Sequence, residues 1–180
     1  MTPTFAGRVS TAGVLLATLG LPAAAPAQYR LPVLIASVQA DSLHDAAAAM
    51  VRAHRWRDAA SLHRRSAELR AADDPLGFRC LTEAAALAYA TGDRSRARTD
   101  MGDAAGHALA RGDLRAAALA YVDAAWIAQE QKNPGRVREL GHRAEMLADS
   151  PLLGPSDRAA ILRRIRRTPE ATQMAILKEP

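Results

Sequence analysis

In "ATGDRSRARTDMGDAAGHALARGDLRAAALAY", residues 90–121, Gly92-Asp93 and Gly112-Asp113 stand 20 residues apart, each followed within four residues by Arg and Ala. Glycine ends a helix by taking the left-handed conformation without a Cβ clash. Aspartate starts the next helix by accepting its free N–H groups. A chain punctuated so tightly leaves room for one helix and its turn, and for little else. Gly102-Asp103 lies between these two stops, inside a helix. A residue that small there is expected to mark the close approach of a neighbouring helix.

Composition agrees. Hydrophobic residues make up 49% of the 180, much of that alanine, and aromatics only 4%. Alanine loses no side-chain entropy on entering a helix. No segment alternates apolar and polar residues long enough for a strand. The chain is therefore expected to be all-α, and its length fits one domain.

Helix limits follow from the same chemistry. Ser42 is expected to cap a helix through about Ala53, and "HRWRD" to turn into a second helix ending near "AADDP". Asp74-Pro75 opens a third, since Pro at the first position loses no bond. "KNPGR" (132–136) is a further turn and "DSPLLGPSD" a longer break. Ser156 then caps a last helix from Asp157 to about Thr168. Ala160, Ile161 and Ile165 face inward there, and Arg158, Arg163, Arg166 and Arg167 face solvent. The tail, 169–180, is expected to be a further short helix or a frayed end.

Taking His54, Gly92 and Lys132 as equivalent turn residues aligns three helix pairs at offsets of 38 and 40. Eleven residues before the turn stand Leu43, Leu81 and Tyr121. Eight before stand Ala46, Ala84 and Ala124; seven before, Ala47, Ala85 and Ala125; four before, Met50, Ala88 and Ala128. Five after stand Ala59, Ala97 and Val137; twelve after, Ser66, Ala104 and Ala144.

This pattern of large, small, small and apolar positions resembles the tetratricopeptide repeat family over Ser42 to about Ser150. The period exceeds the usual 34 or so. The family's Pro at the end of the second helix is absent, and Met50, Ala88 and Ala128 stand where it has Tyr. The resemblance implies a right-handed antiparallel helix-pair solenoid of about three repeats with a C-terminal capping helix. It also implies that the first helices of the pairs line a groove for a protein or peptide. On that analogy Arg52, Glu83, Tyr89, Asp123 and Gln129 are the candidate contacts.

"MTPTFAGRVSTAGVLLATLGLPAAAPAQ" has the layout of a secretory signal: one basic residue, a short apolar run and Ala25-Pro26-Ala27. Cleavage is expected after Ala27, with Ala40 as the second choice. The apolar run is too short for a membrane span. The expected organisation is a signal peptide over 1–27, a linker over 28–40, a helical domain over 41–168 and the tail. The periplasm or the exterior is the implied compartment.

The formal charge is +5, and all but Lys132 and Lys178 of the 24 basic residues are Arg. The densest run, "RRIRR", offers Arg163, Arg164, Arg166 and Arg167 to an anionic membrane surface or polymer. "MVRAHRWRDAASLHRRSAELR" interleaves Arg with Trp56, but export removes most nucleic acids, and Trp56 is expected to pack between helices. Nucleic acid is therefore not an expected partner.

No two of the five His lie three or four apart and no HExxH is present, so neither a metal site nor a cofactor is expected. Cys80 is expected to be a buried thiol with no His partner. Asp100 and Asp103 share a helix face and read as exposed acids. The tripeptide "RGD" (111–113) falls in a tight turn, which opposes a role in adhesion. No catalytic constellation stands out, and no enzyme activity is expected.

Overall fold

The computed structural model describes residues 30–167, with side chains from residue 34. Seven helices follow one another: α1 (Arg30–Arg52), α2 (Trp56–Glu68), α3 (Pro75–Ala90), α4 (Arg94–Ala110), α5 (Leu114–Glu130), α6 (Pro134–Ala148) and α7 (Pro155–Arg166). Each packs on the next along the chain, and α7 also reaches back to α5. Among the described residues there is no strand, and no helix is long and apolar enough to cross a membrane. The described residues are thus all-helical, with helices packed in succession, an arrangement compatible with a helical repeat. The expected signal segment, 1–27, and the tail lie outside the described residues.

The three residues aligned as equivalent turns are left-handed: His54 (φ 57°), Gly92 (φ 86°) and Lys132 (φ 55°). Gly112 between pairs is left-handed as well (φ 74°). At Gly92 the following N–H bonds to Ala88 O at 2.9 Å, and the Gly92 N–H bonds to Tyr89 O at 3.0 Å. The same two bonds recur around His54, Gly112 and Lys132. This closing motif satisfies carbonyls that the helix end would leave bare. Asp74, Asp93, Asp113 and Asn133 then cap the next helices, each side chain accepting a backbone N–H of the first turn.

The aligned small positions form the core. Ala84, Ala85, Ala124, Ala125, Ala97, Val137, Ala104 and Ala144 are buried, with Ser66 and Ala59 beside them. Leu43, Ala46 and Met50 of α1 are only half-buried, since among the described residues no helix precedes α1 to cover it. The chain end is covered by α7, whose Ile161 (0% exposed) and Ile165 (7%) enter the cluster built by α5 and α6.

Several expectations are corrected. The first helix begins at Arg30, so Ser42 is interior and residues 30–40 are helical. Pro32 falls in its first turn, where a backbone N–H has no intrahelical acceptor to lose. Ala40 is fully buried, and its carbonyl accepts the Ser66 hydroxyl at 2.7 Å. The last helix is capped at Gly154 with Pro155 at its first position, not at Ser156. Arg158 does not face solvent; it donates to the carbonyls of Ala148 (2.8 Å) and Asp149 (3.0 Å), closing the end of α6. Trp56 is 40% exposed and leans on the His54 ring.

A Cβ on Gly102 would meet no side chain or other helix within 4 Å, whereas one on Gly77 would lie 2.5 Å from Nδ1 of His107. The close approach expected at Gly102 is therefore found at Gly77, where α3 meets α4. Three substitutions test these backbone assignments by urea unfolding. Lys132→Gly is expected to stabilise by about 0.5–1 kcal/mol, through relief of a left-handed side chain less the added denatured-state freedom. Gly92→Ala is expected to destabilise by about 1 kcal/mol, and Gly102→Ala to stabilise by about 0.5–1 kcal/mol.

Candidate functional site

Helices α3, α5 and α7 present one continuous face. Tyr89, near the end of α3, sits with its ring centroid 5.7 Å from that of Trp126 on α5. Its hydroxyl donates to Glu130 Oε1 at 2.8 Å, a bond that holds the phenol above its ordinary pKa. Arg94 closes the group: its guanidinium lies 4.1 Å from the Tyr89 ring centroid and its Nε donates to Glu130 Oε2 at 2.9 Å. Four side chains from three helices thus brace one another, and Trp126 remains 44% exposed at their edge.

From Trp126 the face continues into an open pocket of about 560 Å³ between α5 and α7, walled by Asp123, Val122 and Ala160 and rimmed by Arg163, Arg164 and Arg167. Arg164 donates to Asp123 Oδ1 at 2.5 Å. Burial pushes the Asp123 carboxyl above its ordinary pKa, and Arg164 draws it back. Chemically the pocket offers an indole surface flanked by guanidiniums, with its one carboxylate already paired.

The residues singled out from sequence divide. Tyr89, Asp123, Arg163, Arg164 and Arg167 come together on this face, and Arg166 follows on the exposed side of α7. Gln129 is half-buried on α5, its Oε1 enclosed without a hydrogen-bond partner. Arg52 is exposed at the end of α1, away from the pocket. Glu83 belongs elsewhere, among side chains of α1, α2 and α3. Sequence reasoning missed Trp126, Arg94 and Glu130. The signal was available, because Trp126 lies three residues from Asp123 and therefore on the same helix face.

On the opposite side, a depression lined by α2 and α4 holds a group read from sequence as an exposed acid. Asp100 is fully buried. Both its oxygens accept from Arg64 Nε (2.9 and 3.0 Å), and Arg96 lies 3.3 Å away. Burial raises the Asp100 carboxyl above its ordinary pKa, and the two guanidiniums oppose that. The basic residues occupying this carboxylate make it a structural tie between α2 and α4. Removing the main partner strands a buried charge, so Arg64→Met is expected to cost about 3 kcal/mol. Arg96→Met, at an exposed partner, is expected to cost under about 1 kcal/mol. Chemical denaturation of the two variants checks the difference.

In the Arg111-Gly112-Asp113 turn, the arginine and aspartate bond to each other at 3.3 Å, and Arg111 covers the Phe78 ring. Arg111 is thus held against the protein, and the exposed Asp113 is tied to it and to the cap of α5. Comparison with protein-family models, curated proteins and solved structures returned no match to this chain.

Proposed function

We propose that this chain is an exported helical-repeat scaffold that binds another protein, holding an acidic, partly apolar segment against the face of α3, α5 and α7. The observation that carries the reading is Trp126, 44% exposed on braced helices and flanked by the arginines of an open pocket. Tryptophan and arginine concentrate binding energy where they sit on a rigid support. The pairing of Asp123 with Arg164 leaves Arg163 and Arg167 as the dominant charge at the rim, so the partner segment is acidic. The tetratricopeptide-like alignment supports the same assignment, with α3 and α5 as first helices of their pairs and α7 as the cap.

The test is a crosslinking pull-down from envelope extract, followed by titration of the purified partner. Trp126→Ala combined with Arg163→Glu is expected to weaken binding by at least about thirtyfold, as loss of an interface centre does. Unchanged affinity in that variant would sink the assignment of the face. The alternative function is binding of anionic lipid or polymer through the same arginines. It takes precedence if no protein is captured and the chain co-sediments with anionic vesicles until salt is added.

Export rests on the signal-like layout of residues 1–27. Burial of Ala40, with its carbonyl held by Ser66, supports cleavage after Ala27 rather than Ala40. Intact-mass measurement of the exported chain is expected to show an N-terminus at Gln28. A start at Asp41 would mean that the fold forms without the first half of α1.

A further inference from the structure

We propose that His44, His63, Cys80 and Glu83 form a zinc-binding site at the N-terminal end of the helical array. One histidine comes from α1, one from α2, and the cysteine and glutamate from adjacent turns of α3. His44 Nδ1 lies 3.4 Å from Cys80 Sγ. His63 Nε2 lies 3.4 Å from Glu83 Oε2, and His44 Nδ1 lies 3.9 Å from the same oxygen. The donor atoms of His44, His63 and Cys80 all fall within 4.8 Å of one another.

The two 3.4 Å separations match the edges of a zinc tetrahedron, and the wider ones, up to 4.8 Å, have to close by about 1 Å. With bonds of about 2.0–2.1 Å to nitrogen or oxygen and 2.3 Å to sulfur, the edges are about 3.3–3.7 Å. Small side-chain rotations bring four donors to one centre. Two imidazoles, a thiolate and a carboxylate are also the donor types that zinc takes.

Burial points the same way. Cys80 is 0% exposed and His63 3% exposed, while the side chains of His44 and Glu83 are 23% and 33% exposed. The site is therefore closed on the core side and open to ions on the other. A thiol buried this fully is out of reach of a substrate, which removes the reading of Cys80 and His44 as a catalytic pair. Arg79 donates to Glu83 Oε1 at 2.9 Å, turning Oε2 toward the imidazoles, as an outer partner of a metal ligand does. Ser66 lies 3.5 Å from the sulfur. His63 turns Nε2 to the cluster, while its Nδ1 on the far side of the ring is enclosed without a hydrogen-bond partner.

The repeat supplies a control. Counted from the turns, His44 corresponds to Thr82 and Val122, His63 to Met101 and Gly141, and Cys80 to Ser42 and Ala120. None of His44, His63 and Cys80 recurs, so the helical scaffold itself does not require them, whereas Glu83 corresponds to Asp45 and Asp123, an acid in every pair. Burying polar groups costs free energy unless they are satisfied, and a metal ion would engage one donor atom of each of the four at once.

The experiment uses the purified protein under a thiol reductant, equilibrated with zinc and then freed of loose metal. Elemental analysis is expected to give one zinc per chain, with a raised Tm. Cobalt(II) in place of zinc is expected to give the intense bands of tetrahedral coordination and a thiolate-to-metal charge-transfer band. Cys80→Ser should abolish that band with helical circular dichroism unchanged. His44→Asn, at the half-exposed ligand, should weaken zinc affinity by more than the roughly tenfold loss expected for an outer-shell residue. His142→Asn, outside the cluster, should change nothing. Zinc removed completely by gel filtration, or weak six-coordinate cobalt spectra without charge transfer, would overturn the site. So would stoichiometric zinc retained by His44→Asn and Cys80→Ser alike.

Discussion

Alanine against alanine between successive helices is the contact on which the rest depends. At the aligned positions Ala84, Ala85, Ala124 and Ala125 the side chains are buried and small, so each helix backbone comes near the next. Close-packed helices leave no room for long loops, and the turns are correspondingly tight. They tolerate left-handed His54 and Lys132 because hydrogen bonds on both sides hold the chain in that conformation. A core of methyl groups also buries little apolar area per residue. Caps, ion pairs and the isoleucines of α7 therefore carry more of the stability than they would in a leucine-rich bundle.

Polar ties accordingly run between helices at repeat-like spacing. Arg64 reaches Asp100 and Arg94 reaches Glu130, each 36 residues along the chain. Arg70, with its side chain only 3% exposed, joins Asp41 of α1 to the cap residue Asp74 of α3. Such pairs contribute little when solvated and much more when one member is enclosed. They also fix the rotation of each helix against its neighbour, which smooth alanine faces leave loosely determined.

The two ends of the array differ because of this architecture. At the C-terminal end, α7 turns back on α5 and frames an open pocket with Trp126 beside it. At the N-terminal end, α1 lies against α2 and its flank carries exposed Leu34, Ile35 and Val38. Between α1, α2 and α3 the core changes from alanine to imidazole, thiol and carboxylate. Antiparallel neighbours bring together residues equally far from their turn. His44 lies ten residues before His54, and His63 nine residues after it. A search confined to His three or four apart on one helix passes over donors contributed one helix at a time.

Much of the fold was legible in the residues themselves. Alanine content and the lack of alternation set the helical class. Gly92, Gly112 and the Asp caps located most of the turns, and the alignment placed His54 and Lys132 as turn residues equivalent to Gly92, where the structure then shows the left-handed backbone. These are local effects, decided by backbone sterics and by hydrogen bonds spanning a few residues. The start of α1, the burial of Asp100, the close approach at Gly77 rather than Gly102, and the meeting of His44, His63, Cys80 and Glu83 were decided only by tertiary structure. Each depends on how far one helix is rotated about its axis against the next. Alanine occupies several faces of these helices, so the pattern does not single out one buried stripe. The rotation is settled by contacts between residues 20 to 40 positions apart.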